Sequence, residues 1–107
     1  MTGATAHHPS AALAIVASMV AKPETADEVA TFLSDAVELA RQEEGTTSWF
    51  ALRTDATTFW IVDTFAAEAG RQTHLGGPIA AALMANADRL LAEPPVIRPA
   101  DVLAAKL

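Results

Sequence analysis

The chain has 107 residues, 51% of them hydrophobic, no cysteine and a formal net charge of −6. That length suits one domain around one core. The missing cysteines exclude a disulfide framework, a thiolate nucleophile and a cysteine–zinc centre, and an acidic balance without a basic run argues against a nucleic-acid partner.

Residues 1–10 are small and polar and read as a flexible tail ahead of a single domain over 11–107. The pair His7-His8 lies in that tail without a third ligand nearby, so no metal site is expected there. Ala11–Ala21 is apolar, but Met1–Ser10 holds no Lys or Arg, so the basic leader of a signal peptide is missing. The run is also too short to span a membrane. It reads as a strand, Ala12–Ala21, apolar on both alternating faces and ended by Lys22-Pro23. A cytoplasmic protein without a membrane partner is the expectation.

A helix is predicted over Ala26–Glu43, with Thr25 as its N-cap and Glu28 completing a capping box. Val29, Phe32, Leu33, Ala36 and Ala40 recur at helical spacing and define its buried face, and Gly45 marks its end. A hairpin follows: Thr46–Arg53 and Thr58–Phe65 are strand-like, and Thr54–Thr57 is too short for anything but a turn. Trp49, Ala51 and Arg53 share one face of the first strand, and Ser48, Phe50 and Leu52 the other. Phe59, Ile61, Asp63 and Phe65 alternate with Trp60, Val62 and Thr64 on the second. Neither face is clearly polar, so a sheet with helices on one side needs a second cover, for which another copy of the chain is the simplest candidate.

Ala67–Leu75 suits a short helix, broken by Gly76-Gly77. Pro78 opens another helix, running to about Ala92, with Ile79, Ala82, Leu83, Ala87 and Leu90 on its apolar stripe. Val96–Leu107 is strand-like, and Pro99 makes it an edge strand or two short pieces. The order strand, helix, strand, strand, helix, strand predicts an α+β, ferredoxin-like βαββαβ fold with a four-stranded antiparallel sheet and helices on one face.

Particular residues carry a family resemblance. Glu43 and Gly45 supply a Glu-x-Gly at the end of the first helix, and Trp49 an aromatic in the second strand. Asp63 and Phe65 form an acidic-small-aromatic end to the third strand, and His74-Leu75 follows in the next helix. With these the chain resembles the antibiotic biosynthesis monooxygenase domain family from Leu13 to Leu107. After the histidine many members carry Ser or Thr, Pro and a second His or Phe, where this chain has Gly76-Gly77-Pro78. The third strand often ends in Trp, where this chain has Phe65. The resemblance implies a dimeric α+β barrel and, among activities, cofactor-independent oxygenation of quinol-like or polycyclic phenolic molecules. The electrons would come from the substrate's own anion, passing to molecular oxygen. Haem-degrading members also exist.

The candidate catalytic residues are His74, Asp63 and Arg71. His74 would take a proton from a phenol or quinol, or it is a half-buried histidine fixing the turn at Gly76. Asp63 would orient it, or it forms a structural ion pair with Arg53 or Arg71. Arg71 and Arg53 could stabilise a phenolate, or they pair with nearby acids. Trp49, Phe50, Phe59 and Trp60 could line a flat substrate pocket, or they are core and interface. Asn86 could reach a ligand from its helix stripe, or it borders water. No metal triad, phosphate loop, dinucleotide fingerprint or serine elbow is present. Two functions stay open: an oxygenase needing no cofactor, and a non-catalytic barrel binding a small apolar ligand or, through His74, haem.

Overall fold

Alternation along the apolar strand segments decides how the sheet is built, because one of its two faces is buried by helices and the other is bare. The computed structural model describes residues 9–107, so the His7-His8 pair lies outside the described residues. β1 (Leu13–Val20) is followed by a 3-10 turn at Pro23–Thr25 and by α1 (Ala26–Arg41). The β2–β3 hairpin spans Thr46–Arg53 and Thr58–Phe65, then α2 (Glu68–Leu75), α3 (Pro78–Leu90) and β4 (Val96–Asp101) complete the chain. The sheet order is β2-β3-β1-β4 with every pairing antiparallel, the ferredoxin-like arrangement that the element order predicts.

Ile15, Ala17 and Met19 of β1 and Phe59, Ile61, Asp63 and Phe65 of β3 are buried under the helices. Ala17, Met19, Phe59 and Ile61 meet Val29, Leu33, Leu83, Ala87 and Leu90 in the main core. A smaller cluster joins Ala36 and Ala40 of α1 to Ile79 of α3, with Trp49 packed against both groups. The opposite face carries Val16, Val20, Phe50, Leu52, Trp60, Val62 and Val96. Phe50 is 54% and Leu52 46% exposed there, so this chain alone leaves an apolar sheet face in water.

Local chemistry moves several expected boundaries. Thr25 is no side-chain cap: its hydroxyl instead donates to the carbonyls of Leu90 (2.6 Å) and Lys22 (3.2 Å), tying the start of α1 to the end of α3. Glu28 pairs with Arg89 rather than closing a capping box. α1 ends at Arg41, and its backbone turns through Glu43, whose carbonyl accepts from the Thr46 amide at 3.2 Å. Gly45 therefore does not stop the helix. A Cβ there would sit 2.7 Å from the Gly70 Cα, so Gly45 is required by the backbone of α2. α3 ends at Leu90 because Leu91 and Ala92 pair with the end of β1, the Ala92 amide donating to Val20. β4 stops at Asp101; Pro99 fits within it because this strand lies at the sheet edge. Among the described residues no helix is long and apolar enough to cross a membrane.

Candidate active site

Three elements converge on His74. It lies in the last turn of α2, where a cation complements the helix dipole. Its Nδ1 is 2.7 Å from Glu43 Oε1, and its Nε2 is 2.8 Å from Asp63 Oδ2. Glu43 comes from the turn after α1 and accepts a further bond from Thr46 Oγ1 at 2.7 Å. Asp63 comes from β3 and is fully buried, and His74 is 6% exposed. Phe65, two residues along β3, stacks at a tilt on the imidazole with ring centroids 5.4 Å apart. Burial works to lower the His74 pKa, but the hydrogen bonds to Asp63 and Glu43 and their charges outweigh it, so it is raised above its usual value. Both of its ring nitrogens therefore have an acidic partner.

That geometry revises the sequence reading. Asp63 does pair with His74, but neither Arg53 nor Arg71 is its ion partner. The two carboxylates sit at opposite nitrogens of one ring and do not converge on a common point. In keeping with this, no group of three His, Asp or Glu among the described residues is placed to hold a metal ion.

Beside the pair, between sheet and helices, is a cavity of about 30 Å³. Its lining is Ile15, Ala17, Ile61, Leu75, Ile79, Ala80, Leu83 and Ile97, with Asp63 and His74 as its polar members. Leu75 and Ile97, 37% and 40% exposed, form its outer rim. That volume admits one or two water-sized groups. A wider groove of about 550 Å³ lies along the end of α3 by Lys22, Met84, Asp88 and Pro94-Pro95. No buried side-chain polar atom without a partner lies among its lining residues, so size alone does not make it the site.

The other candidates are dispersed. Arg71 does not line the cavity: it pairs with Glu68 at 2.5 Å and donates to the carbonyls of Ala14 (3.2 Å) and Ala100 (3.3 Å), bracing α2 against β1 and β4. Arg53 lies over the Phe59 ring at 4.9 Å and bonds the Ala56 carbonyl, at the hairpin end. Asn86 Nδ2 donates to the Ala82 carbonyl on its own helix, and its Oδ1 accepts from Arg89. Phe50 and Trp60 face the bare side of the sheet, and Trp60 Nε1 donates to Thr54 Oγ1 at 3.0 Å. Phe59 is core. The four hairpin aromatics thus form no common pocket, since strand alternation sends two to each face. Trp49 alone is near the site in register, as the cross-strand partner of Asp63. Glu43 was legible only as part of a motif; its contact with His74 spans 31 positions.

This fold is shared with solved structures described as antibiotic biosynthesis monooxygenases. One, a candidate monooxygenase from Deinococcus radiodurans, has a TM-score of 0.75 at 17% identity, covering 83% of this chain and 90% of that one. Another, from Caulobacter crescentus, has a TM-score of 0.73 at 21% identity, covering 86% and 90%. A protein of unknown function from Nitrosomonas europaea is far nearer in sequence, at 51% identity and a TM-score of 0.90 over 94% of this chain and 97% of that one. The chain belongs to the same family as that Nitrosomonas protein. No family model matches the chain, and no curated protein matches it.

Proposed function

We propose that this chain is a cofactor-independent oxygenase acting on a small phenol- or quinol-type molecule, as a homodimer. The observation that carries the reading is an apolar cavity whose polar lining is one buried carboxylate–imidazole pair. Ion pairs buried in this way contribute little net stability, and they concentrate at functional sites. The Asp63–His74 unit would take the proton of the hydroxylated ring, with Asp63 the accepting group and His74 holding its charge and position. The resulting anion gives electrons to molecular oxygen, a carbon–oxygen bond forms at an activated ring C–H, and water leaves. Phenol plus O₂ becomes quinone plus water, and the substrate supplies every electron. The small cavity disfavours the polycyclic substrates that the resemblance suggests and takes only the hydroxyl end of a single ring, whose body would lie at the exposed rim of Leu75 and Ile97. The homodimer reading rests on the bare face around Phe50 and Leu52, which a second sheet would cover. Oxygen consumption by the pure protein, with no cofactor added, is the test.

A second reading has its own observation. Both nitrogens of His74 are engaged and the cavity is small, which favours a ligand-binding barrel in which the Glu43–His74–Asp63 clamp is structural. It predicts binding of small apolar molecules without oxygen uptake.

A further inference from the structure

α2 is held differently from the other two helices. α1 buries Ala26, Val29, Leu33, Ala36 and Ala40, and α3 buries Ile79, Leu83, Ala87 and Leu90. The buried residue of α2 is His74, a polar one, and α2 adds no side chain to the two core clusters. Apart from the tilted Phe65 ring, its attachments are polar or backbone. They are the His74 bridges to Glu43 and Asp63, the Arg71 bonds to the Ala14 and Ala100 carbonyls, and the contact of Gly70 with Gly45. Inside the helix, Glu68 Oε2 accepts from Gln72 at 2.6 Å and Glu68 Oε1 accepts from Arg71. These internal bonds let α2 keep its shape when it moves as a unit.

We propose that α2 is a hinged door on the Asp63–His74 cavity, swinging on the joints Ala66-Ala67 and Gly76-Gly77 to admit a ligand larger than the cavity now holds. The cavity takes one or two water-sized groups, and Asp63 in its lining is fully buried. A ring therefore reaches Asp63 only if a wall moves. The β1, β3 and β4 walls are tied by their ladders, and moving α3 would draw Ile79 and Leu83 out of their packing. α2 supplies His74 and the rim residue Leu75, and its departure takes no apolar side chain of its own out of the core. The ion pairs that it breaks regain water at both partners, so they resist opening less than apolar packing would. Gly76 and Gly77 both rest at ordinary negative φ, and a Cβ at 76 would come no closer than 3.7 Å to atoms beyond its chain neighbours. The resting backbone does not require a glycine at 76, whereas a joint passing through other conformations uses its freedom. Segments of low local stability are the usual moving parts of binding sites. The door goes beyond the oxygenase reading and serves a binding barrel equally.

The test uses the absence of cysteine from the chain. Ala17→Cys puts a thiol on the cavity wall, and Ala21→Cys puts one in the main core just past the end of β1, outside the cavity lining. Both positions are buried, at 5% and 1% exposure. Thiol labelling by a soluble disulfide reagent at low urea concentrations is compared with amide hydrogen exchange of the wild-type chain. The thiol at 17 is expected to react through an opening at least about 100-fold more populated than the one that exposes position 21, with a much smaller urea dependence. The slowest α2 amides should share the opening at 17, while the amides of the β1–β4 ladder follow position 21. Equal labelling and equal urea dependence at the two positions would overturn the proposal. So would β1–β4 amides that open together with position 17, because the edge strand would then be the door. Wild-type α2 amides that exchange only through global unfolding would overturn it even if neither variant folds. Oxygen uptake is a separate readout: the door stands without it, and uptake with no such opening removes the door alone.

Discussion

Glu43 Oε1 and His74 Nδ1, 31 residues apart in sequence, lie 2.7 Å apart in the fold. Two glycines set that contact. Gly45 lies against Gly70 with no room for a Cβ, and Gly70 is one helical turn before His74. The close backbone approach therefore brings the turn after α1 onto α2 at the level where the carboxylate meets the imidazole.

Stability should depend on pH through His74. Its folded pKa is raised, so its contribution is fully present below the unfolded value near 6.5 and is lost as pH rises through the higher folded value. Thermal unfolding of the wild type should weaken as pH rises above the ordinary histidine value and through the raised folded one, and His74→Gln should flatten that dependence. Parallel profiles for the two proteins would refute the assignment.

Glu43→Ala should cost on the order of 3 kcal/mol at a pH where His74 is protonated, since it leaves that buried group with one partner fewer and also strands the Thr46 hydroxyl. Urea denaturation measures this. A loss below about 0.5 kcal/mol, the size expected of a surface pair, would show that the clamp is solvated in solution.

Gly45→Ala and Gly76→Ala should differ in sign. A Cβ at 45 meets the Gly70 backbone at 2.7 Å, whereas one at 76 comes only to 3.7 Å from the Gln72 carbonyl, and neither glycine has a positive φ. The first change is expected to destabilise by about 1–3 kcal/mol through overpacking. The second is expected to be neutral or to stabilise by up to about 1 kcal/mol through the unfolded chain. Equal effects in chemical denaturation would contradict the close-packing argument.

How much of this was readable beforehand follows from range. The strands, the hairpin and the apolar stripes of α1 and α3 were legible because period 2 and period 3.6 are local properties of the chain. The pairing of Asp63 with His74 was foreseeable from their types and their place in the resemblance. Glu43 was not, because nothing local ties it to a histidine in another helix; the signal was Gly45, read as a helix stop when it marks a close approach. The aromatic pocket failed for a similar reason. Trp49 and Phe50, like Phe59 and Trp60, are neighbours in sequence and so lie on opposite faces of the sheet. Thr25 has the composition of a cap, yet the nearby Leu90 carbonyl competes successfully for its hydroxyl.

Phe50→Asp should separate subunits without unfolding them. Phe50 is 54% exposed on the bare face and absent from the core clusters, so a charge there disturbs a covering partner and not the chain's own packing. Sedimentation equilibrium should give a dimer for the wild type and a monomer for the variant. A monomeric wild type would remove the homodimer from the proposal.

The most direct measurement is oxygen uptake by the purified protein with a panel of single-ring phenols and quinols, in parallel with Asp63→Asn. The proposal predicts uptake well above the autoxidation blank for the wild type and a fall of about 10²-fold or more in the folded variant. Uptake equal to the blank across the panel, or equal in both proteins, would contradict it and leave the binding barrel.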